Sequence, residues 1–367
     1  MNPFYRKINC LSIRNCGIIC TVHLKALVEK LSLNHSLSKE EYAYLITHRD
    51  AETALDLAER ALCEKRKIYG DDIYVRGLIE FTNYCRNNCL YCGIRRANTE
   101  CERYRLSEEE ILLCADEGYS LGYRTFVLQG GEDSYFTDEI LCSIVKKIRQ
   151  RYPDCAVTLS VGERSKESYR RFFEAGAERY LLRHETASEE HYKKLHPSEM
   201  SFSARVKCLY DLREAGFAVG AGFMVGSPFQ TAENIALDLK FIEEFKPEMC
   251  GIGPFIPHEK TPFCKEPAGS VELTCFLLSV IRMIHPHVLL PATTALATLA
   301  PDGREKGILC GANVIMPNLS PVAVRKKYAL YDGKVCTGEE SAQCRRCIDR
   351  RIESIGFKVV TDRGDYK

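Results

Sequence analysis

Tryptophan is absent from the 367 residues, and so is any excess of charge: 51 Lys and Arg stand against 50 Asp and Glu, a formal net charge of +1. This balance gives no electrostatic case for a nucleic-acid or membrane-surface partner. No apolar run reaches the roughly 20 residues that span a bilayer. No short-period repeat of the solenoid kind occurs. Cys16-Gly-Ile-Ile-Cys-Thr-Val22 behind Lys7 and Arg14 mimics a weak signal peptide. However, no small-residue cleavage site follows, and the chain runs straight into the amphipathic Leu24-Lys-Ala-Leu-Val-Glu-Lys-Leu31. Residues 1–22 read as a disordered or poorly specified extension. After Met1 the next methionine is Met200, which leaves an upstream or non-standard start open.

Two things are plentiful. Hydrophobic residues make up 45% of the chain, enough for one large α/β barrel or two ordinary domains. There are also 19 cysteines. The chain is too long and too core-rich for a disulfide-stapled mini-domain, so clustered cysteines read as iron ligands in a reducing cytoplasm. The scattered Cys114, Cys142, Cys208 and Cys275 fall in helical patterns and read as small core hydrophobes.

One cysteine cluster stands out: Cys85-Arg-Asn-Asn-Cys89-Leu-Tyr-Cys92, spaced C-x3-C-x2-C directly after the strand-like run Val75–Phe81. Three thiolates this close can hold three corners of a 4Fe–4S cube and leave one iron open, whereas a cluster made only for electron transfer normally has four protein ligands. The alternatives are a zinc site or an ordinary ferredoxin-like cluster. Structural zinc commonly takes four ligands in paired C-x2-C units, and here there is one such pair and no nearby His. The spacing resembles the signature of the radical S-adenosylmethionine (SAM) enzymes, in which SAM chelates the open iron. Tyr91, just before the third cysteine, fits that pattern.

The rest of the chain alternates strand and helix. Residues 38–66 read as helical, with an N-cap and acidic first turn at Ser38-Lys-Glu-Glu41. Strands are expected at Leu78–Thr82, Thr125–Gln129, Ala156–Val161, Arg179–Arg183, Ala218–Val225, Met249–Phe255, Leu289–Thr293 and Ala312–Pro317. Helices are expected at Glu108–Leu121, Asp138–Arg151, Lys166–Ala175, Phe202–Glu214, Ala232–Phe245, Glu272–Ile284 and Arg304–Leu309. Ser107 and Thr231 sit at N-cap positions, and Gly122, Gly176 and Gly216 follow helix ends. Eight strands with interleaved helices predict an α/β fold, a complete (β/α)8 TIM-type barrel over 75–320. N-terminal helices fill 23–74, and a C-terminal helical extension fills 321–367.

In such a barrel the chemistry belongs on the loops after the strands. Gln129-Gly130-Gly131-Glu132-Asp133 follows the second strand, its glycines allowing close backbone approach. Thr158 and Ser160 share one face of the third strand. In Arg183-His184-Glu185-Thr186 the outer charges point inward together if His184 points out, and must then pair with each other or with a ligand. Arg205 suits fork-like binding of a carboxylate, though a solvated surface charge is the plainer reading. Gly220 and Gly222 weaken the fifth strand and make sense if adenine or ribose lies against it. Thr293 and Thr294 are uncharged donors suited to anionic or cyanide-like ligands, or simply strand-end caps. Cys336, Cys344 and Cys347 in the tail, C-x7-C-x2-C, suggest a second cluster (2Fe–2S or 4Fe–4S), with a zinc site or a cysteine-rich helix start as alternatives.

Together these motifs resemble the HydE family of radical-SAM maturases of FeFe-hydrogenase over residues 23–360. The resemblance rests on Cys85/Cys89/Cys92, Gln129–Asp133, Leu182–Thr186, Gly251–His258, Pro291–Thr294, Cys310–Pro317 and the tail triplet. It implies that Cys85, Cys89 and Cys92 ligate a catalytic 4Fe–4S cluster. Tyr91, Gly130, Gly131, Ser160, Glu185 and Arg205 would hold SAM, and Gln129, Thr158, Arg183, Thr293, Thr294 and Tyr328 would line a deeper substrate cavity. Cys336, Cys344 and Cys347 would hold an accessory cluster. Gly130 departs from the many relatives with Ser there, which removes a hydroxyl. The implied reaction is reductive cleavage of SAM to a 5′-deoxyadenosyl radical. That radical attacks a sulfur of a small organometallic substrate, a cysteine-bound iron carbonyl/cyanide precursor. The implied partners are companion hydrogenase maturases and a low-potential electron donor, without nucleic acid or membrane, in the cytoplasm of an anaerobe. Biotin synthase and methylornithine synthase share most of the scaffold, and a non-catalytic iron–sulfur carrier is the alternative of another class.

Overall fold

The computed structural model describes residues 22–335, 337–338 and 342–367. The expected N-terminal extension, apart from Val22, and Cys336 lie outside the described residues. Six strands run side by side in parallel: Gly77–Thr82, Thr125–Gly130, Ala156–Ser160, Arg179–Leu181, Ala218–Ala221 and Met249–Cys250. Single parallel bridges then close the ring, from Met249 to Leu289, Pro291 to Val314 and Asn318 to Leu78. The last closure carries two backbone bonds, Leu78 N–H to Pro317 O and Leu319 N–H to Leu78 O. Eight parallel segments with helices between them make the expected barrel.

The strand Gly77–Thr82 is buried at every position, as a parallel strand covered on both faces must be. Its alternation sends Ile79 and Phe81 into the apolar layer shared with the outer helices, while Leu78 and Glu80 line the barrel interior. Ser107 and Thr231 close capping boxes with Glu110 and Asn234. Gly176 and Gly216 follow helix ends at φ of +107° and +101°, a conformation glycine takes without strain. The helix Val271–Ile284 is buried almost all round because the N-terminal helix Ala51–Tyr69 covers its outer side. That explains its nearly continuous apolar sequence.

Two expectations need correction. The strands expected over Ala218–Val225 and Met249–Phe255 each break in two, giving a separate pair of Met224–Val225 with Gly253–Pro254. At the break Gly222 has φ +148°, and a Cβ there would collide with the Gly251 carbonyl, so the two backbones meet glycine to glycine. The C-terminal extension is also not helical throughout. After the helix Arg345–Glu353 comes a strand, Lys358–Val360, that pairs in parallel with Asp72–Val75 below the first barrel strand. Beyond it the chain forms the barrel floor. Arg179 donates to Asp365 at 2.6 Å and to the Arg363 carbonyl at 3.0 Å, and the Thr125 hydroxyl donates to that carbonyl at 2.7 Å. Gly364, at φ +59°, would place a Cβ 2.6 Å from the Tyr74 ring. Gly364→Val is therefore expected to cost about 1–3 kcal/mol and to lower the melting temperature by several degrees; unchanged melting would show that the floor segment docks loosely.

Candidate active site

The loop after the first strand carries Cys85, Cys89 and Cys92, and much of its shape comes from one side chain. Arg103 donates through Nη1 to the carbonyls of Asn83 and Ile94, the latter at 2.8 Å, and through Nη2 to those of Arg95 at 2.7 Å and Asn98 at 3.1 Å. Leu90 N–H bonds the Leu195 carbonyl at 3.0 Å. The Tyr91 hydroxyl lies 3.1 Å from His196 Nε2, while His196 Nδ1 faces the Tyr192 carbonyl at 3.0 Å. Nδ1 therefore carries the proton, and Nε2 accepts from Tyr91. Burial pushes His196 down to about 3, which keeps it neutral near pH 7.

The three cysteines line one cavity of about 350 Å³ at the barrel mouth. Burial pushes the Cys89 thiol up to about 12, raises Cys85, and holds Cys92 well above the ordinary thiol range. Thiolates here need positive charge beside them, which iron supplies. A soft three-sulfur donor set opening on one cavity fits an iron–sulfur cluster.

The second loop lies against the first. A Cβ on Gly131 would collide with the Tyr84 carbonyl and sit 2.8 Å from Cys85 Cβ. Arg105 grips Asp133 through two bonds of 2.7 and 3.0 Å, and Arg86 pairs with Glu132 at 2.9 Å. Gly130, Gly131, Tyr91, Ser160, Glu185 and Arg205 all line the cavity. Arg205 is buried between two protein carboxylates, with Nε 2.8 Å from Glu163 and Nη2 3.9 Å from Glu132. That Nε has no directed hydrogen bond. Burial raises the Glu163 carboxyl above its ordinary range.

Arg183 and Glu185 face each other across 3.0 Å inside the cavity. The contact is an ion pair without a directed hydrogen bond: Arg183 Nε and Nη2 and Glu185 Oε2 are buried without a hydrogen-bond partner. His184 points the other way. Its Nδ1 accepts the Gly222 N–H and its Nε2 donates to the fully buried Asp238 at 3.2 Å. Asp238 also accepts the Ala187 N–H. These bonds bracket Glu185, which stands at φ +66°, a left-handed conformation that costs a non-glycine residue about 1–3 kcal/mol.

Deeper in the cavity Gln129 donates to the Tyr328 hydroxyl at 3.4 Å. Thr293 and Thr294 also line the wall. Thr293 precedes the helix Thr294–Leu299 without capping it, and its hydroxyl is buried and unpartnered. Thr158, expected to line the same cavity, does not: it is buried two residues before Ser160, behind the lining, with no partner for its hydroxyl among the described residues. The unpartnered polar atoms of the lining and the glycine-lined approach at Gly131 fit a polar ligand such as SAM.

Sequence reading missed Arg103, His196, Glu163, Glu80 and Lys334. Glu80 did leave a signal, an acid in the apolar strand Leu-Ile-Glu-Phe; the others had none. In the tail, Cys344 and Cys347 are joined as a disulfide with Cα atoms 5.3 Å apart, and Cys336 lies outside the described residues. The expected triplet of thiolate ligands is therefore not assembled among the described residues. No helix among them is long and apolar enough to cross a membrane.

A model of the Radical SAM superfamily matches residues 79–242. The [FeFe] hydrogenase maturase subunit HydE of Thermotoga maritima is 46% identical over 303 residues, 83% of this chain and 86% of that protein. The 3-methylornithine synthase of Methanosarcina barkeri is 27% identical over 348 residues, covering 90% and 96%. The crystal structure of a methylornithine synthase superposes with a TM-score of 0.76 at 24% identity, over 91% of this chain and 97% of that one.

Proposed function

The chain belongs to the radical SAM superfamily and, within it, to the HydE maturases of FeFe-hydrogenase, and from that premise we propose how its residues serve the reaction. It is a radical SAM enzyme of FeFe-hydrogenase maturation, and the family implies a 4Fe–4S cluster and SAM. Cys85, Cys89 and Cys92 hold the cluster. When bound, cluster and SAM supply one-electron reductive cleavage of the sulfonium, and with it radical chemistry.

The chain's own groups bind, aim and exclude water. Gly130 and Gly131 offer backbone to the SAM amino group, Glu185 adds a carboxylate held by its backbone conformation, and Arg205 takes the SAM carboxylate. Ser160 and Tyr91 line the remainder of the SAM site, with Tyr91 fixed by His196. Gln129, Arg183, Thr293, Thr294 and Tyr328 receive the substrate, a cysteine-bound iron carbonyl/cyanide precursor made by a companion maturase. The observation carrying this reading is the shared cavity, where three half-buried thiols meet groups of Arg183, Glu185 and Thr293 that lack hydrogen-bond partners. Such groups are costly unless a ligand completes them.

Maturation in vitro tests it, with apo-hydrogenase, the companion maturases and SAM, with and without this protein reconstituted anaerobically. Hydrogen evolution is expected to depend on the protein. No activation, with 5′-deoxyadenosine still formed, moves the substrate to the methylornithine-synthase or biotin-synthase class. No 5′-deoxyadenosine at all favours an iron–sulfur carrier.

A second iron–sulfur site at Cys336, Cys344 and Cys347 is proposed as accessory, formed once a thiol reductant has opened the Cys344–Cys347 disulfide to two thiolates. Cys344→Ala is expected to leave catalysis largely intact while lowering iron content. Complete loss of maturation in a folded variant would make the tail site essential.

A further inference from the structure

Resting on the maturase reading above, we propose that Lys334 is a substrate-binding residue delivered to the barrel by the C-terminal extension, and that it engages an anionic group of the small substrate. The segment around Tyr328–Val335 roofs the cavity. Tyr328, Leu330, Tyr331 and Lys334 all line it. The roof docks directly on the cysteine loop: Gly93 N–H bonds the Leu330 carbonyl at 2.8 Å, and a Cβ on Gly93 would collide with the Ala329 carbonyl.

From this roof Lys334 reaches Glu80 on the first barrel strand, Nζ to Oε1 at 2.5 Å. The two side chains are 10% and 2% exposed. Asn318 holds the other Glu80 oxygen at 2.7 Å, so the carboxylate is fixed from both sides. An ammonium has three donors. Lys334 spends one on Glu80 and one on the Tyr328 carbonyl at 3.0 Å, and its Nζ stands 4.9 Å from the Tyr328 ring centroid; the third N–H has no hydrogen-bond acceptor among the described residues, on a side chain that borders the cavity. A buried ion pair is a poor source of stability, because desolvation offsets most of its attraction and an apolar pair often serves as well. Its value here is to hold a cation still beside the ligand.

The other unpartnered atoms of the wall point to the same ligand chemistry. Arg183 Nη2 and Glu185 Oε2 answer each other in their 3.0 Å ion pair, which leaves Arg183 Nε and Arg205 Nε as donors without a directed hydrogen bond and the Thr293 hydroxyl free to donate. A donor-rich cavity suits an anionic, acceptor-rich molecule and rejects an apolar one, which would leave the donors unpaired.

The test removes the pair as a unit, so that no charge is stranded. Lys334→Met/Glu80→Leu is the apolar double variant, and Lys334→Gln/Glu80→Gln is a polar one should the first not fold. Each is run in the reconstituted maturation while the precursor from the companion maturase is varied. Melting temperature and the EPR signal of the reduced cluster check that the site is assembled. The apparent KM for precursor is expected to rise tenfold to a hundredfold, roughly the loss of one charge-assisted hydrogen bond. Unchanged precursor dependence in an assembled double variant overturns the assignment and leaves Lys334 as a latch for the roof. Failure of both double variants to assemble also overturns it, since the pair then serves folding. A wild-type protein that makes 5′-deoxyadenosine but matures no hydrogenase overturns the maturase reading itself, and this proposal with it.

Discussion

Cys85→Ala is expected to abolish SAM cleavage, with 5′-deoxyadenosine falling to background and the EPR signal of the reduced cluster lost. The thiol is half-buried and close to the Gly131 backbone, so its methyl replacement fits sterically and the barrel should fold. What disappears is one of three sulfur ligands, and a cube held by two thiolates loses the arrangement that leaves a single iron open. Cys101→Ala is the control. Cys101 lies in the same loop, half-buried against the core, with an Asn83 amide donating to its sulfur at 3.5 Å, and its variant is expected to keep cluster and cleavage. Retained cleavage in Cys85→Ala would sink the cluster assignment. Equal losses in both variants would trace the effect to loop damage.

Arg103→Lys should be nearly as severe, although the charge is kept. The planar guanidinium serves the carbonyls of Asn83, Ile94, Arg95 and Asn98 at once. A lysine ammonium is a point charge with three donors and cannot span that fork. Each half-buried carbonyl left without a donor costs about 1–3 kcal/mol, and the carbonyls lie on both flanks of Cys85, Cys89 and Cys92. The expected result is a folded barrel whose cluster is lost on gel filtration or bleaches quickly, with cleavage down in proportion to iron. Wild-type iron retention and cleavage would show that the loop is held by its other contacts, such as Leu90 to Leu195.

How far the chain could be read in advance followed the range of the interactions. The cysteine spacing, the helix caps at Ser107 and Thr231, the strands from Leu78 and Thr125 and the order of the barrel are local patterns, set by neighbours a few residues apart. They were visible directly. The break at Gly222 was not, because it depends on Gly251 from the next strand. Arg103 was just another arginine in a loop with four others within twenty residues of it. His196 gained its meaning from Tyr91, and Lys334 from Glu80 on the first strand.

By itself the sequence determined the α/β alternation, the motif that places the chain among radical SAM enzymes, and the side of the barrel where the chemistry lies, since all three are periodic or short-range signals. Only the tertiary structure decided that the C-terminus forms the barrel floor, that His184 turns away to Asp238 while Arg183 and Glu185 face inward, and that the extension lends a cation to the cavity. Each of those depends on burial, which removes water from polar groups and forces them to find partners wherever the fold happens to bring them. A linear pattern carries no record of which distant residue that will be.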